Sequence, residues 1–213
     1  MTIVIKNFIP LDEIKFIRKY LESSEFLPGI DNIENPTSDY PKYNFELNSL
    51  ETDIIAKNLL PYFHKNKEIT DFTISKNIFK LIFNKTLVGG RYGNHIDAWS
   101  DVNQRADISF SLFLSDPDEY DGGELEIEHY GKYKLNAGDI VVYPQTKIHQ
   151  VCEVTRGVRY VCCGWIMSHV KNTQQREIIS DCIKLSDLIR NSQPDKVNLI
   201  MKIRQNLMRE WYD

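Results

Sequence analysis

Two histidines and one aspartate in this chain have the residue types and spacing of metal ligands. His95 and Asp97 are separated by a single residue in the segment YGNHID. Residues i and i+2 of an extended strand point to the same face, so this imidazole and this carboxylate can converge on one ion. His149 lies in a later strand-like segment, IHQVCEV, and offers a third ligand. The sequence therefore predicts a metal site formed by these three residues.

Two imidazoles and one carboxylate leave three adjacent positions open on an octahedral ion. Non-haem Fe(II) oxygenases use this arrangement, because the open positions accept O2 and a chelating co-substrate. A single His-x-Asp tripeptide is common and indicates little, so the prediction depends on what accompanies it. The other histidines, His64, His129 and His169, are interpreted as structural or surface residues.

Arg159 is the accompanying residue, ten positions after His149. We predict that residues 149–154 and 158–164 form a hairpin around a three-residue loop that ends in glycine. In that register Arg159 faces the same side as His149, roughly 13 Å farther along the strand. A five-carbon diacid that chelates the metal would span this gap, and a guanidinium can bind both oxygens of its far carboxylate.

Residues 76–168 must position these side chains, and they show the pattern of short strands. In 107-DISFSLFLS-115, Ile108, Phe110 and Leu112 alternate with polar residues, as expected of a strand with two different faces. About eight strands are predicted, near 76–83, 92–97, 107–115, 124–129, 132–136, 140–143, 148–154 and 158–167. Tight turns separate them and no helical pattern intervenes, which favours a sandwich or jelly roll over a parallel sheet.

Helical periodicity flanks the strand zone on both sides. Helices are predicted over 11–23 and 50–63, with a loop rich in turn-forming residues between them, and over 173–191 and from Pro194 onward. The predicted fold class is mainly β with flanking helices. We expect one domain over 1–213, with N-terminal helices and a loop in 1–75, the core in 76–168 and C-terminal helices in 169–213.

Composition excludes several classes of protein. The chain has 213 residues, 42% hydrophobic and 26% charged, which is typical of a chain that buries a core. A net charge of -4 gives no electrostatic reason to expect nucleic acid or a membrane surface as a partner. The four cysteines form no C-x-x-C pair or disulfide framework, and the first residues lack a signal-peptide pattern. We therefore expect a cytoplasmic protein.

Several segments together resemble the Fe(II)- and 2-oxoglutarate-dependent dioxygenases of the prolyl 4-hydroxylase type, and most closely the PKHD-type hydroxylases. The resemblance is carried by GGRYGNHID, RADISFSLFLSDPDEYDGGELEIE, KLNAGDIVVYPQTKIHQVCEVTRGVRY and a helical tail ending in LMREWYD. It implies a double-stranded β-helix, or jelly roll, that holds Fe(II) inside one end. It also implies that 2-oxoglutarate chelates the iron, that Arg159 binds its C5 carboxylate, and that O2 and L-ascorbate take part in turnover.

One position departs from the family pattern. Prolyl hydroxylase relatives usually carry a tyrosine nine residues before the first histidine, and its hydroxyl helps to hold the C5 carboxylate. The corresponding residue here is Thr86. Either the shorter hydroxyl of Thr86 reaches the carboxylate, directly or through water, or a residue such as Tyr143 takes its place. Asp97 fills a position that is a small residue in related halogenases, so hydroxylation is the expected outcome.

Contacts with the primary substrate are harder to predict. Trp99 follows the His-x-Asp motif, and Trp165 shares strand parity with Arg159, so both are candidates to line the pocket; packing in a loop or in the core is the competing interpretation. Arg105 is a candidate for substrate contact or for a structural ion pair with Asp107. The resemblance suggests an amino acid or a peptidyl residue, such as proline, as the substrate.

Two questions stay open at the level of sequence. A non-catalytic, cupin-like module that binds a metal or a carbohydrate would share the strand pattern and could use histidine ligands, but it has no need for Arg159. The C-terminal helices could also pair with a second copy of the chain to form a homodimer.

Overall fold

Short strands followed by two long helices account for most of the chain in the computed structural model, which describes residues 1–29, 42–97 and 104–213. The strands are β1 (Ile3–Ile5), β2 (Phe26–Pro28), β3 (Phe45–Leu47), β4 (Ser75–Thr86), β5 (Tyr92–His95), β6 (Ile108–Phe113), β7 (Tyr120–Gly122), β8 (Leu125–Ile127), β9 (Gly131–Tyr133), β10 (Ile140–Pro144), β11 (His149–Val151), β12 (Val154–Gly157) and β13 (Arg159–Ser168). The helices are α1 (Leu11–Ser23), α2 (Ser49–Lys65), α3 (Lys67–Thr73), α4 (Thr173–Ile189) and α5 (Pro194–Trp211).

Two antiparallel sheets form the body of the fold. The large sheet has the strand order β1-β10-β6-β13-β4-β3-β2, and the small sheet has the order β5-β11-β8-β9. Phe113, Val141 and Tyr143 of the large sheet pack against Leu125 and Ile127 of the small sheet. The inner faces of the two sheets therefore meet, and the predicted class, mainly β with flanking helices, is confirmed.

Strand β6 shows how the sequence pattern produces these layers. All six of its residues are buried, yet its two faces differ in chemistry. Ile108, Phe110 and Leu112 belong to the main hydrophobic core, whereas Ser109 and Ser111 face a cavity between the sheets. Alternation with a period of two places the apolar residues against the helices and the polar ones toward the cavity.

Helices α1, α2 and α3 cover the outer face of the large sheet, where their buried residues join the main hydrophobic core. Helix α1 buries Ile14, Ile17 and Leu21, which recur at the spacing of one helical face, and its bounds match the prediction. In α2, Phe63 packs against Phe110 of β6 with ring centroids 4.6 Å apart. Within the described residues, none of the helices has the uninterrupted apolar stretch that a membrane span requires.

The structure differs from the predictions in the N-terminal zone and at one hairpin. Residues 1–75, predicted as helices and a loop, also contribute β1, β2 and β3 to the large sheet. The predicted hairpin is wrong, because residues 155–157 belong to β12, which pairs with β7, while β13 pairs with β4 and β6. Gly157 does have a positive φ of 74°. Close packing explains why a glycine is needed at this position, because a Cβ there would lie 2.0 Å from the Glu119 carbonyl oxygen. The single-domain division stays a prediction.

Candidate metal centre and co-substrate pocket

A cavity of about 1310 Å³ opens between the two sheets. A pocket of this size holds a small-molecule ligand with space to spare. Its walls come from β4, β6 and β13 of the large sheet, from β5 and β11 of the small sheet, and from α2. Most of the side chains that the sequence singles out line it: His95, Asp97, His149, Thr86, Tyr143, Arg159 and Trp165.

Strand pairing brings the three candidate metal ligands together. His95 in β5 lies directly opposite His149 in β11. The Asp97 Oδ1 atom is 3.7 Å from His95 Nε2 and 3.6 Å from His149 Nε2. One ligand atom from each residue lies within 4.8 Å of the other two. This is the only such group of three among the described residues, and its atoms are close enough to share one cation.

Backbone carbonyls fix the orientation of both imidazoles. The His95 Nδ1 atom lies 2.7 Å from the Gly93 carbonyl oxygen, and the His149 Nδ1 atom lies 3.0 Å from that of Lys147. A carbonyl can only accept a hydrogen bond, so each Nδ1 carries the proton and each Nε2 keeps its lone pair. Metal-binding histidines commonly have this support, which sets the tautomer and aims Nε2 at the ion.

The Asp97 carboxylate is held from the opposite side. Ser109 Oγ donates a hydrogen bond of 2.6 Å to Asp97 Oδ2, and the Gln145 amide donates to the Asp97 carbonyl oxygen. These contacts leave Oδ1 directed at the two Nε2 atoms. Neither partner is predictable from the sequence, because both lie far from Asp97 along the chain.

The electrostatics suit a cation. Burial raises the pKa of Asp97, but the hydrogen bond and charge of His149 outweigh it and leave the pKa at about 2. Burial and the neighbouring His149 lower the pKa of His95 to about 4. At neutral pH the site thus contains an ionised Asp97 carboxylate and a neutral His95 imidazole, the protonation states in which these groups bind metals. Burial lowers the pKa of His149, but the Asp97 carboxylate outweighs it and raises that pKa, so a cation that binds here competes with a proton for that imidazole.

Aromatic rings enclose the imidazoles. The Tyr92 ring stacks on His95 with centroids 3.6 Å apart and an interplanar angle of 17°, and Tyr143 packs edge-on against His149 at 5.3 Å. Strand parity alone would put Tyr92 on the face opposite His95. A bulge between β5 and β11 changes this, because Val151 pairs with Tyr92 although His149 pairs with His95.

Arg159 lies elsewhere on the cavity wall and is 2% exposed. Thr86 is directly opposite it in β4, and the ring of Phe113 is 5.7 Å from its guanidinium carbon. Its Nε atom is buried with no hydrogen-bond partner among the described residues, and burial lowers the pKa of Arg159 although the nearby Tyr120 hydroxyl acts in the opposite direction. A buried cation with an unsatisfied donor is costly, so this pocket fits a ligand that carries a carboxylate.

The remaining predicted residues differ in their surroundings. Trp165 lines the cavity, and its Nε1 atom is buried with no partner in the described part of the chain. Arg105 forms an ion pair of 2.8 Å with Asp107 and donates a hydrogen bond to the carbonyl of Ser168 at 3.0 Å. These contacts are the ones expected if Arg105 forms a structural ion pair and does not contact the substrate. Trp99 lies outside the described residues.

A polar wall is the main feature of the cavity that the sequence predictions missed. It consists of Lys42, Asn44, Glu46, Asn84 and Cys163. The first three alternate along KYNFE, which is the signal that could have found them. That segment directly follows turn-forming residues and lies between the two predicted N-terminal helices, so its pattern is easily read as part of the loop.

Solved structures with the same fold support the assignment of a jelly roll. A Pseudomonas putida prolyl-4-hydroxylase is 17% identical, with a TM-score of 0.56, covering 78% of this chain and 92% of that one. HygX from Streptomyces hygroscopicus, solved with nickel and 2-oxoglutarate bound, is 10% identical with a TM-score of 0.56, covering 78% of this chain and 82% of that one. At these identities the likeness concerns the fold, and the predicted jelly roll is confirmed.

Comparison with sequence relatives identifies the family as well as the fold. Residues 81–167 match the model of the 2OG-Fe(II) oxygenase superfamily. A PKHD-type hydroxylase of Prochlorococcus marinus is 37% identical over 81% of both chains, and one of Maricaulis maris is 32% identical over 99% of both. The family implies Fe(II) and 2-oxoglutarate, and the donor set of two imidazoles and a carboxylate beside a buried guanidinium fits both. The chain belongs to the PKHD-type hydroxylases and is a dioxygenase, not a non-catalytic cupin-like module.

Proposed function

We propose that this enzyme hydroxylates an amino acid or a peptidyl residue while 2-oxoglutarate is decarboxylated to succinate. In this proposal His95, Asp97 and His149 hold Fe(II), and Arg159 binds the C5 carboxylate of 2-oxoglutarate. The observation that carries the proposal is the convergence of two Nε2 atoms and one carboxylate oxygen in a cavity that also contains the buried Arg159, whose Nε has no hydrogen-bond partner among the described residues. Bound iron would supply the redox chemistry by which O2 oxidises both 2-oxoglutarate and the substrate.

The protein's own groups would prepare the site before any ligand arrives. The carbonyls of Gly93 and Lys147 hold the imidazoles in the tautomer that presents Nε2, and Ser109 fixes the carboxylate of Asp97. Ligands that are already oriented lose little conformational freedom when the ion binds, which favours tight binding. The one ionised carboxylate offsets part of the charge of a divalent cation.

Arg159 would fix the far end of the co-substrate. Its planar guanidinium can donate two parallel hydrogen bonds to a carboxylate, and its burial makes each of them stronger than in water. We assign the second contact with the C5 carboxylate to Thr86, because this residue is directly opposite Arg159 and is 2% exposed. The ring of Tyr143 packs edge-on against that of His149. We therefore place Tyr143 between the co-substrate and the candidate metal ligands.

The substrate would bind in the rest of the cavity, where Trp165 offers an aromatic surface and an unsatisfied donor. We propose that L-ascorbate serves, as the family resemblance implies, to keep the iron reduced during turnover. Amino acid and peptidyl substrates both remain compatible with a cavity of about 1310 Å³.

Release of succinate from 2-oxoglutarate, measured with Fe(II) and ascorbate, tests the proposal. We expect the variants His95→Ala, Asp97→Ala and His149→Ala to lose this activity and to retain less iron after desalting. His64→Ala is the matched control, because His64 is exposed at the end of α2. Normal turnover and iron content in the three ligand variants would refute the assignment, and tight zinc without 2-oxoglutarate binding would argue against the co-substrate pocket.

A further inference from the structure

A buried ion pair on the polar wall is separate from the residues assigned above to the iron and to the co-substrate. Lys42 Nζ lies 2.6 Å from Glu46 Oε1, and the two side chains are 9% and 8% exposed. Both residues line the cavity. The pair therefore presents one positive and one negative group, side by side, to any molecule that occupies this space.

The energetics of the pair favour a role in recognition. Removing two charges from water costs several kcal/mol per ion, and their mutual attraction often repays this cost only in part. Apolar side chains of similar size would stabilise the wall at least as well. A ligand with complementary charges would compensate both groups through two charge-assisted contacts.

The position of the pair suits a substrate whose reacting end is near the candidate metal ligands. Lys42 Nζ lies 5.4 Å from the centre of the Tyr92 ring, and the same ring stacks on His95 at 3.6 Å. One aromatic ring thus contacts both the ion pair and a candidate ligand. A molecule of a few carbon atoms that is anchored at Lys42 would extend alongside Tyr92 toward the Nε2 atoms.

The rest of the polar wall offers hydrogen-bonding groups next to the pair. Asn84 is directly opposite Glu46 in the neighbouring strand, and its amide donates to Cys163 Sγ at 3.1 Å. The Asn44 Oδ1 atom is buried without a partner among the described residues. Asn44 and Glu46 are two residues apart and line the same cavity, so an acceptor and a carboxylate are both available there to an ammonium group, which donates up to three hydrogen bonds.

We propose that Lys42 and Glu46 bind the charged groups of a free α-amino acid, with its carboxylate at Lys42 and its ammonium at Glu46 and Asn44. This inference rests on the proposed function and deepens it by naming the substrate class. A free amino acid carries both charges on one carbon, so they are as closely spaced as the two side chains that receive them. A residue within a peptide carries neither charge, so it offers no opposite charge to Lys42 or to Glu46.

Binding to the Fe(II) enzyme with 2-oxoglutarate, under exclusion of O2, tests this directly. Each of the common L-amino acids is titrated calorimetrically as the free compound and as its N-acetyl amide, which has the same side chain and no charge on the backbone. We expect at least one free amino acid to bind and its blocked form to bind at least tenfold more weakly. Admission of O2 then reveals by mass spectrometry whether the bound amino acid gains one oxygen.

Three variants separate recognition from structural support. Lys42→Met and Glu46→Gln should each weaken the binding of the free amino acid by about tenfold to a hundredfold. This is the loss of affinity expected when a hydrogen bond to a charged group is removed. The double variant Lys42→Glu/Glu46→Lys keeps an ion pair, so it should restore the thermal stability but not the binding. Arg156→Met is the control, because its ion pair of 2.7 Å with Asp121 is exposed.

Several results would overturn the inference. Equal binding of free and blocked forms would do so, as would binding of peptides alone or of none of the amino acids. Recovery of binding in the swapped variant, or a loss in Lys42→Met that affects only 2-oxoglutarate, would assign the pair another role. Failure of the proposed function is seen separately, as the absence of succinate from Fe(II) and 2-oxoglutarate, because the binding measurement requires no turnover.

Discussion

Replacing Arg159 with methionine should remove the affinity for 2-oxoglutarate while leaving the fold intact. Methionine keeps an unbranched apolar stem and deletes the guanidinium. In the ligand-free protein Arg159 is 2% exposed and its Nε is unsatisfied, so deletion removes a buried charge whose contacts with Phe113 and Tyr120 offset only part of its desolvation cost. We therefore expect the free energy of unfolding without ligand to stay the same or to rise.

The loss of binding follows from the contacts that the guanidinium can make. Two hydrogen bonds to a carboxylate, at about 1.5 kcal/mol each, contribute about 3 kcal/mol. That corresponds to a roughly 150-fold increase in the dissociation constant. At a 2-oxoglutarate concentration of 100 times its Kd, the wild type gains about 2.7 kcal/mol of stability. At the same concentration the variant should gain only about 0.3 kcal/mol.

The assay pairs the variant with a change in the ligand. In 2-oxopentanoate a methyl group replaces the C5 carboxylate, so its proposed contacts with Arg159 and Thr86 are both lost. The wild type should prefer 2-oxoglutarate over this analogue by at least roughly 150-fold in KM, and Arg159→Met should keep only the small preference that the Thr86 hydroxyl supplies. A variant that keeps the wild-type preference, or one that unfolds more easily with an unchanged KM, would refute the role of Arg159.

Three further substitutions test neighbouring parts of the site. Ser109→Ala removes the hydrogen bond to Asp97. Metal titration should show an affinity for the ion about 10- to 100-fold lower, with an unchanged melting temperature. An unaltered affinity would mean that the ion orients Asp97 without help from Ser109. Gly123→Ala adds a Cβ at a φ of 66°, 3.0 Å from Arg159 Cδ. Urea unfolding should show that the free energy of unfolding falls by about 1–2 kcal/mol, and the KM for 2-oxoglutarate should rise. A substitution that changes neither value would contradict the tight packing. Arg105→Met should destabilise the protein by about 1–3 kcal/mol without altering the KM of any substrate, whereas a kinetic effect at constant stability would support substrate contact.

Residue chemistry and the resemblance to the PKHD-type hydroxylases were together enough to predict the candidate site's main members. His95 and Asp97 indicate little by themselves, but the later His149 and Arg159 support the prediction, and the structure brings the three candidate ligands together. The bounds of α1 follow from a buried stripe at helical spacing. A stripe of this kind depends only on residues close in sequence, so no knowledge of the tertiary fold is needed to predict it.

Features that depend on strand pairing could not be predicted in the same way. The contact between Tyr92 and His95 exists because a bulge shifts the register by one residue, and nothing in YGNHID indicates it. Lys42 and Glu46 alternate along a short segment whose partner strand, β4, begins almost 30 residues later in the chain. Pairing over such distances is set by the packing of the whole sheet.

Arg159 shows how a correct grouping can follow from a wrong geometry. The hairpin prediction put Arg159 and His149 on one face of one sheet, four residues apart along the strand. In the structure Arg159 begins β13 of the large sheet, and His149 begins β11 of the small sheet. They share a cavity because the inner faces of the two sheets oppose each other. A keto-diacid held at both ends would therefore bridge the sheets, so its length would be matched to the gap between them. That gap is set by core side chains such as Phe113 and Leu125. The length of co-substrate that the enzyme accepts should therefore depend on the packing of the core as well as on Arg159.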